Sequence, residues 1–151
     1  MSQVFYFDDL EIGQRFVSGS RTLGAAEIKA FAREFDQQPF HLDEGAARKS
    51  VFGGLAASGW HTAAVTMRLL VDGAAPIAGG VIGVGGEIEW SRPVRPGDTL
   101  QVHCEVVALV PSRSRPDRGV VTIRCETRNQ SEEAVQVFVG KLIVPKRPSS
   151  R

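Results

Sequence analysis

Two side chains capable of acid–base chemistry, Asp36 and His41, lie five residues apart in the stretch FDQQPFHLD. A carboxylate and an imidazole that lie close together can bind a water molecule and move its protons near neutral pH. Pro39 lies between them, cannot continue a helix and restricts Gln38 to extended geometry, so we expect residues 36–42 to form an ordered loop. The spacing alone is a common accident, since Asp36 can simply end a helix and His41 can be a polar loop residue.

The two other histidines and the remaining motifs give weaker signals. His103 alternates with apolar residues, so we expect it to be an exposed residue of a strand. His61 falls in the first turn of a predicted helix, where the helix dipole and burial both disfavour an imidazolium, so we expect it to pack. With no cysteine near His41, a tetrahedral metal site is hard to assemble, and we predict no metal. The glycines at 83–86 do not open a helix, and Ser58 lacks the flanking glycines of a nucleophile elbow.

The composition is that of one ordinary globular domain. The chain has 151 residues, 42% of them hydrophobic, and a formal net charge of +1, which provides one core and no field favouring nucleic acid or anionic lipid. The first residues lack the positive charge of an export signal, and no apolar run reaches the roughly 18 residues that span a bilayer. Cys104 and Cys125 form neither a CxxC pair nor a disulfide framework. We therefore expect a cytoplasmic protein with no nucleic-acid or membrane partner, whose two thiols face each other across a hairpin.

The first half of the chain predicts the helices that position the acid–base pair. A turn and one irregular strand are expected in residues 7–23, and a helix that buries one face should begin after Gly24. The apolar residues at helical spacing are Ile28, Phe31, Ala32 and Phe35. Residues 43–50 should form a short helix capped by Asp43.

A longer helix follows a glycine-rich turn. Ser58 is a good N-cap, GWHTAAVTMRLLVDG has apolar or small residues on nearly every face, and Gly73 stands where a C-terminal cap is favoured. A helix that is apolar all round is buried. Its roughly 14 residues would span about 21 Å, the width of a small sheet.

The second half changes to the two-residue period of strands. In TLQVHCEVVALV every second residue from Leu100 to Ala108 is apolar, and GVVTIRCETR, AVQVFVGKLIV and the glycine-rich GGVIGVGGEIEW supply three more strands. The segments PSRSRPDRG and RPVRPGD are predicted turns. The glycine-rich strand can curve closely around another element, and the nearest candidate is the apolar helix. We therefore predict one α+β domain over residues 1–151, with a curved antiparallel sheet wrapped around a central helix and a flexible tail from about residue 146.

Three segments resemble one known family. FAREFDQQPFHLDEGAARKSVFGGLAASGWHTA is similar to the hydratase signature of the MaoC-like dehydratases, a family that includes the (R)-specific enoyl-CoA hydratases, and WSRPVRPGDTL and FDDLEIGQRF resemble its next strand and its front. The resemblance implies the hot-dog fold, a curved antiparallel sheet around a central helix, assembled as a homodimer or a higher homo-oligomer. Two positions depart from the family, because Gln38 stands where Asn is common and Ser58 where His is common.

The resemblance also implies a reaction, the reversible addition of water to a trans-2-enoyl thioester to give an (R)-3-hydroxyacyl thioester. Asp36 and His41 would be the acid–base dyad, and the Gly59 N–H, free at a helix N-terminus, would donate to the thioester oxygen. The residues expected beside the substrate are Gln38, Ser58 and Trp60, with core packing the favoured role of Trp60. No cofactor is needed, since the thioester already acidifies C2. The acyl carrier is CoA or acyl carrier protein, and the cations available for its phosphates are Arg48, Lys49, Arg92 and Arg95.

Two other functions are compatible with the sequence. A thioesterase of the same fold needs a carboxylate on or beside the central helix, where the only acid is Asp72 at the far end. A catalytically silent subunit would keep the pair but block the pocket, for which Trp60 is the candidate.

Overall fold

A five-stranded antiparallel sheet and one long helix make up most of the structure, a computed structural model that describes residues 3–149. In chain order the elements are a 3-10 turn (Phe7–Asp9), β1 (Arg15–Thr22), α1 (Ala25–Phe35), α2 (Pro39–Leu42), α3 (Glu44–Arg48), α4 (Gly59–Leu69), a π turn (Leu70–Ala74), β2 (Ile82–Trp90), β3 (Thr99–Pro111), β4 (Arg118–Arg128) and β5 (Ala134–Pro145). The strand order is β1-β3-β4-β5-β2, so β1 and β2 are the edge strands.

The inner strands bury one face, as their alternation predicts. The buried apolar side chains of β3 and β4 are Leu100, Val102, Cys104, Val106, Val121, Ile123 and Cys125. They form one core with residues of α1 and α4. The sheet curved around a central helix is the predicted hot-dog fold, and the prediction is confirmed.

Helix α1 begins after Gly24, as predicted, and buries Ile28 and Ala32 completely. Phe35 was expected on the same buried face but is 67% exposed. It is the last residue of the helix, so it lies beyond the elements that cover Ile28. The predicted short helix is also present, because Asp43 caps α3 by accepting a hydrogen bond from the Ala46 N–H at 2.7 Å.

Helix α4 has only one face against the core. It starts after Ser58, whose Oγ accepts a hydrogen bond from the Trp60 N–H at 3.2 Å, as predicted for an N-cap. The α-helix ends at Leu69 and continues into the π turn, which holds Gly73. The expectation of burial all round is wrong, because Trp60, Met67 and Val71 are 61%, 44% and 52% exposed. We call these three residues the apolar stripe.

The glycine-rich strand β2 is an exposed edge strand. It pairs with β5 alone, and its register shifts between Gly83 and Gly85. The expected close approach to the central helix is not the reason for its glycines, because a Cβ on Gly86 would lie 2.5 Å from the Val139 carbonyl oxygen of β5. Ile82 and Val84 are more than half exposed.

Cys104 and Cys125 face each other across β3 and β4, as predicted. They are opposite in the register, both are buried free thiols, and their Sγ atoms are 2.8 Å apart. The hydrogen bond to Cys104 and burial raise the pKa of Cys125 well above its ordinary value. The Cys125 thiol is therefore not available as a nucleophile near neutral pH.

The two ends of the described chain are fastened together. The Arg147 N–H donates to Asp8 at 2.7 Å, and its guanidinium pairs with Asp9. The Lys146 N–H donates to the Asp117 carbonyl at 2.8 Å. The predicted flexible tail therefore starts with two residues bound to the domain, and its last part, 150–151, lies outside the described residues. Within 3–149, no helix is long and apolar enough to cross a bilayer.

Candidate active site

Asp36 ends helix α1, and its side chain contacts three polar side chains. Its backbone N–H donates to the Ala32 carbonyl at 2.9 Å, and its side chain is 16% exposed. The Oδ2 atom accepts a hydrogen bond from Ser58 Oγ at 2.6 Å, and Oδ1 accepts one from the Gln38 side-chain amide. Oδ2 also lies 3.3 Å from His41 Nε2. The structure therefore brings together the acid and the histidine that the sequence singled out.

His41 lies on a single helical turn, α2, and not in the loop predicted from Pro39. Pro39 is the first residue of that turn, where its missing N–H costs no helical hydrogen bond. The imidazole is 4% exposed, and its Nδ1 lies 2.6 Å from the Ala56 carbonyl oxygen. Because a carbonyl only accepts, Nδ1 carries the proton, and Nε2 beside Asp36 has a free lone pair in the neutral ring.

The environment of Asp36 keeps its side chain ionised. Burial is the largest single effect and opposes ionisation, but the hydrogen bonds from Ser58 and Gln38 and the charge of His41 together lower the pKa of Asp36 below its ordinary value. When His41 is neutral, the carboxylate and the Nε2 lone pair face each other across 3.3 Å, and a water molecule beside them can donate a hydrogen bond to each. When His41 is charged, its Nε2–H donates to Oδ2 of Asp36.

Ser58 and Gln38 hold the carboxylate by its two oxygens. Ser58 is fully buried, so the prediction that it contacts the substrate is wrong, and its hydroxyl instead orients Asp36. Gln38 is exposed and lines the pocket, so it can hold Asp36 and still reach a bound molecule.

The N–H of Gly59 is a free donor at the start of α4. Gly59 lines the same pocket as His41, and its N–H has no acceptor within residues 3–149. A Cβ at this position would lie 2.6 Å from Cε2 of Trp90, so only glycine fits beneath the indole. Trp60 does not pack in the core, so the core-packing role favoured for it is wrong. It is 61% exposed and packs edge-on against Trp90, with ring centroids 5.2 Å apart.

These groups open into a pocket of about 310 Å³. Its buried lining residues are His41, Ala57, Thr62 and Val94. Phe40 and Phe52 form an apolar wall. The site combines a carboxylate–imidazole pair, a free amide donor and apolar walls, which suits an uncharged chain ending in a polarised carbonyl.

Trp90 is the main residue of the pocket to which the sequence assigned no role. It lies at the end of β2, and its contact with Gly59 depends on how β2 pairs with β5. No local pattern reports that register. Thr62 and Val94 were likewise missed, because each resembles an ordinary buried residue of a helix or a turn.

The four predicted cations have different surroundings. The guanidinium of Arg95 donates to the carbonyls of Phe52, Gly54 and Leu55, so it serves the fold. Arg92 lines the pocket and is 3.3 Å from Glu133. Arg48 and Lys49 are exposed on and after α3.

The other titratable candidates lie away from the pocket. His61 is buried and stacks on Phe31, with ring centroids 4.6 Å apart, so its predicted packing role is confirmed. His103 lies half-buried on β3. Asp72 is paired with Arg68 at 2.8 Å beyond the far end of α4, so the acid required for a thioesterase does not face the pocket. Among residues 3–149 no cluster of histidines, cysteines and carboxylates could hold a metal ion.

A hot-dog sheet with an acid–histidine pair at the start of its central helix defines a class of protein. Comparison with known families identifies the same class. The model of the MaoC like domain matches residues 9–130, and the chain belongs to this family.

Individual relatives cover most of the chain. The crystal structure of a MaoC-like dehydratase from Rhodospirillum rubrum is 56% identical, with a TM-score of 0.95 over 96% of this chain and 99% of that one. The uncharacterized protein YdeM of Bacillus subtilis is 36% identical over 91% of this chain and 95% of its own length. The 3-hydroxybutyryl-CoA dehydratase of Methylorubrum extorquens is 34% identical over 75% of this chain and 71% of its own.

Proposed function

We propose that the protein is a hydratase that adds water reversibly to a trans-2-enoyl thioester and yields an (R)-3-hydroxyacyl thioester. The observation that carries this proposal is the 3.3 Å separation of Asp36 Oδ2 and His41 Nε2 beside the free N–H of Gly59. Membership of the MaoC-like family and the named activity of the Methylorubrum relative support it. The (R) configuration rests on the resemblance to the (R)-specific hydratases.

The reaction requires a proton acceptor, a proton donor and an oxyanion donor. Water bound to Asp36 and His41 attacks C3 of the enoyl group as the pair takes one of its protons, and the pair returns a proton to C2. Negative charge that develops on the thioester oxygen is stabilised by the Gly59 N–H, which is worth roughly 100- to 1000-fold in rate for one such donor. Dehydration follows the same steps in reverse. Neither direction uses a redox cofactor or a metal.

The substrate is carried by CoA or by acyl carrier protein. Arg92 is the cation that lines the pocket, and we assign it to a phosphate of the carrier. Its exposed pair with Glu133 is easily exchanged for a ligand, because exposed ion pairs contribute little to stability. The buried thiols of Cys104 and Cys125 fit a cytoplasmic location.

We propose that the protein is a homodimer. The apolar stripe of Trp60, Met67 and Val71 and the unpaired edge of β2 are exposed on the single chain. Exposed stripes of large apolar residues and free strand edges mark association surfaces. A second copy would cover both.

The direct test is hydration of crotonyl-CoA. The reaction is measured by the loss of ultraviolet absorbance of the enoyl thioester, and the product is then identified by chiral analysis. We expect Asp36→Asn to lower kcat about 100- to 10,000-fold, the range for losing one acid–base group. The matched control is Asp43→Asn, which changes a nearby exposed carboxylate that caps α3 and does not touch the pocket. It should keep the wild-type kcat. Full activity of Asp36→Asn would refute the dyad, and release of free thiol without loss of the enoyl group would indicate a thioesterase.

A further inference from the structure

A row of hydrogen-bonded side chains crosses the sheet and ends at the active site. Thr127 of β4, Gln136 of β5 and Trp90 of β2 are direct neighbours in the register of the three strands. Trp90 Nε1 lies 3.0 Å from Gln136 Oε1, and Gln136 Nε2 lies 3.0 Å from Oγ1 of Thr66 on α4. The Oγ1 atoms of Thr66 and Thr127 are 2.7 Å apart. We call these four residues the tryptophan anchor.

The direction of every hydrogen bond in the anchor is fixed by the indole N–H at one end and by the Thr62 carbonyl at the other. Trp90 Nε1–H only donates, so the Gln136 oxygen must face it and the Gln136 amide nitrogen must face Thr66. Thr66 donates its own proton to the Thr62 carbonyl at 2.9 Å, so it accepts from Gln136, and Thr127 donates to it. Gln136, Thr127 and Thr66 are 1%, 0% and 3% exposed, which makes a broken bond costly.

The anchored indole touches the first turn of α4. Atoms Cε2, Cδ2 and Cζ2 of Trp90 lie 2.6 to 2.9 Å from the place where Gly59 would carry a Cβ. The same ring is bonded through Gln136 to Thr66, which lies seven residues, or about two turns, further along α4. The indole therefore fixes the start of α4 relative to Thr66, on the core-facing side of the same helix.

We propose that Trp90, held by Gln136 and Thr66, is a positioning residue for the oxyanion donor of Gly59. This inference rests on the proposed function. The ring packs against Gly59, whose N–H is the proposed oxyanion donor, and a shift of the first turn would move that N–H away from the thioester oxygen. Because the charge on the oxygen develops in the transition state, a loose anchor lowers kcat and leaves the binding of the substrate nearly unchanged.

The anchor can be tested by removing either end of one hydrogen bond. Trp90→Phe removes the donor and Gln136→Met removes its acceptor, and crotonyl-CoA hydration is measured for each variant and for the double variant. We expect each single change to lower kcat about tenfold, less than the roughly 100- to 1000-fold for complete loss of an oxyanion donor. KM should stay within about threefold. The double variant should resemble either single one, because both remove the same bond.

A threonine pair outside the pocket provides the matched control. Thr22 and Thr99 join β1 and β3 through hydroxyls 2.7 Å apart, as Thr66 and Thr127 join α4 and β4. Thr99→Val should keep the wild-type kcat, and Thr127→Val should lower it. Equal kcat in wild type, Trp90→Phe and Gln136→Met would overturn the inference, as would losses that multiply in the double variant.

A second readout does not depend on activity. In a nitrogen-15 NMR spectrum the indole N–H of Trp90 should exchange with solvent more slowly than that of Trp60, which is 61% exposed. Gln136→Met should abolish this difference. Slow exchange without any hydration of crotonyl-CoA would refute the proposed function and leave the anchor standing as geometry. Fast exchange of both indoles would overturn the anchor whether or not the enzyme is active.

Discussion

The Asp36 side chain is only 16% exposed and still ionised, because its neighbours stabilise the carboxylate more than burial destabilises it. The hydroxyl of Ser58 and the amide of Gln38 bind its two oxygens, and their hydrogen bonds lower its pKa against the effect of burial. Its ionised form therefore stabilises the native state. This differs from a catalytic acid whose pKa is raised by an apolar site.

The pH dependence of stability follows from the direction of that pKa shift. A carboxylate with a lowered folded pKa contributes stability above its unfolded pKa of about 3.9 and loses it as the pH falls through the lower folded value. We therefore expect the difference in unfolding free energy between wild type and Asp36→Asn to change as the pH falls below about 4. Urea unfolding at several pH values measures it. A difference that stays the same below about pH 4 would contradict the lowered pKa.

Replacing Asp36 by alanine has a second effect that asparagine avoids. Asparagine keeps an oxygen for the Ser58 hydroxyl, whereas alanine leaves that buried donor without a partner. Asp36→Ala should therefore be less stable than Asp36→Asn by about 1–3 kcal/mol, as measured by urea unfolding at neutral pH. Equal stability would show that water replaces the carboxylate.

Ser58 combines a structural and a positioning role. Ser58→Ala removes the N-cap of α4, worth about 1 kcal/mol, and the hydroxyl that orients Asp36. We expect kcat to fall about tenfold, close to 1.4 kcal/mol, with KM unchanged because Ser58 is fully buried. Asp43→Ala is the control, since it removes the α3 cap alone and should lower stability without lowering kcat.

At the scale of elements, one side chain binds three carbonyls of the chain between α3 and α4. The Arg95 guanidinium binds the carbonyls of Phe52, Gly54 and Leu55, and Phe52 is part of the pocket wall. The wall thus depends on a residue that follows β2. The wall segment 52–55 has no regular secondary structure of its own.

Removing this guanidinium should loosen the wall. Arg95→Met leaves three carbonyls without their donor, so we expect a loss of about 1.5–3 kcal/mol in unfolding free energy and a higher KM. Thermal unfolding and crotonyl-CoA kinetics measure the two effects. Arg92→Met is the matched variant, because its exposed pair with Glu133 should contribute little to stability. Equal destabilisation by both changes would contradict the role given to Arg95.

The elements were predictable where the determinants are local. Gly24 and Ser58 mark helix starts through backbone and cap chemistry, and the alternation from Leu100 to Val106 predicts a half-buried strand. The segment 36–42 was predicted as a loop, yet Pro39 begins a helical turn that a longer-range contact from His41 to Ala56 completes. Trp90 was missed because its role follows from strand register.

The whole molecule leaves the apolar stripe of α4 exposed. Helix α4 was predicted to be buried all round, and the apolar stripe shows the part that this chain does not cover itself. The sequence pattern predicts that a helix is apolar. It does not predict whether each face is covered by the same chain or by another one. The Asp36–His41 pair was predictable because both residues lie in one short segment.

The proposed dimer gives a test at this scale. Met67→Glu places a charge on the apolar stripe and should convert the dimer to a monomer, because burying an unpaired carboxylate is costly. Sedimentation velocity measures the change. Val110→Glu is the control, since Val110 is 57% exposed near the end of β3 and should leave the dimer intact. A wild-type protein that sediments as a monomer would refute the dimer.

Residues 8–9 and 146–147, at the two ends of the described chain, are bonded to the domain. The chain could therefore start at another point while the order of the strands in the sheet stays the same. Because Arg147 contacts Asp8 and Asp9, a glycine-rich linker between the two termini would join segments that already touch. New termini can then be opened in the exposed turn at 113–117. Such a circular permutant should fold to the same topology, with the catalytic segment moved from the first third of the polypeptide to its middle.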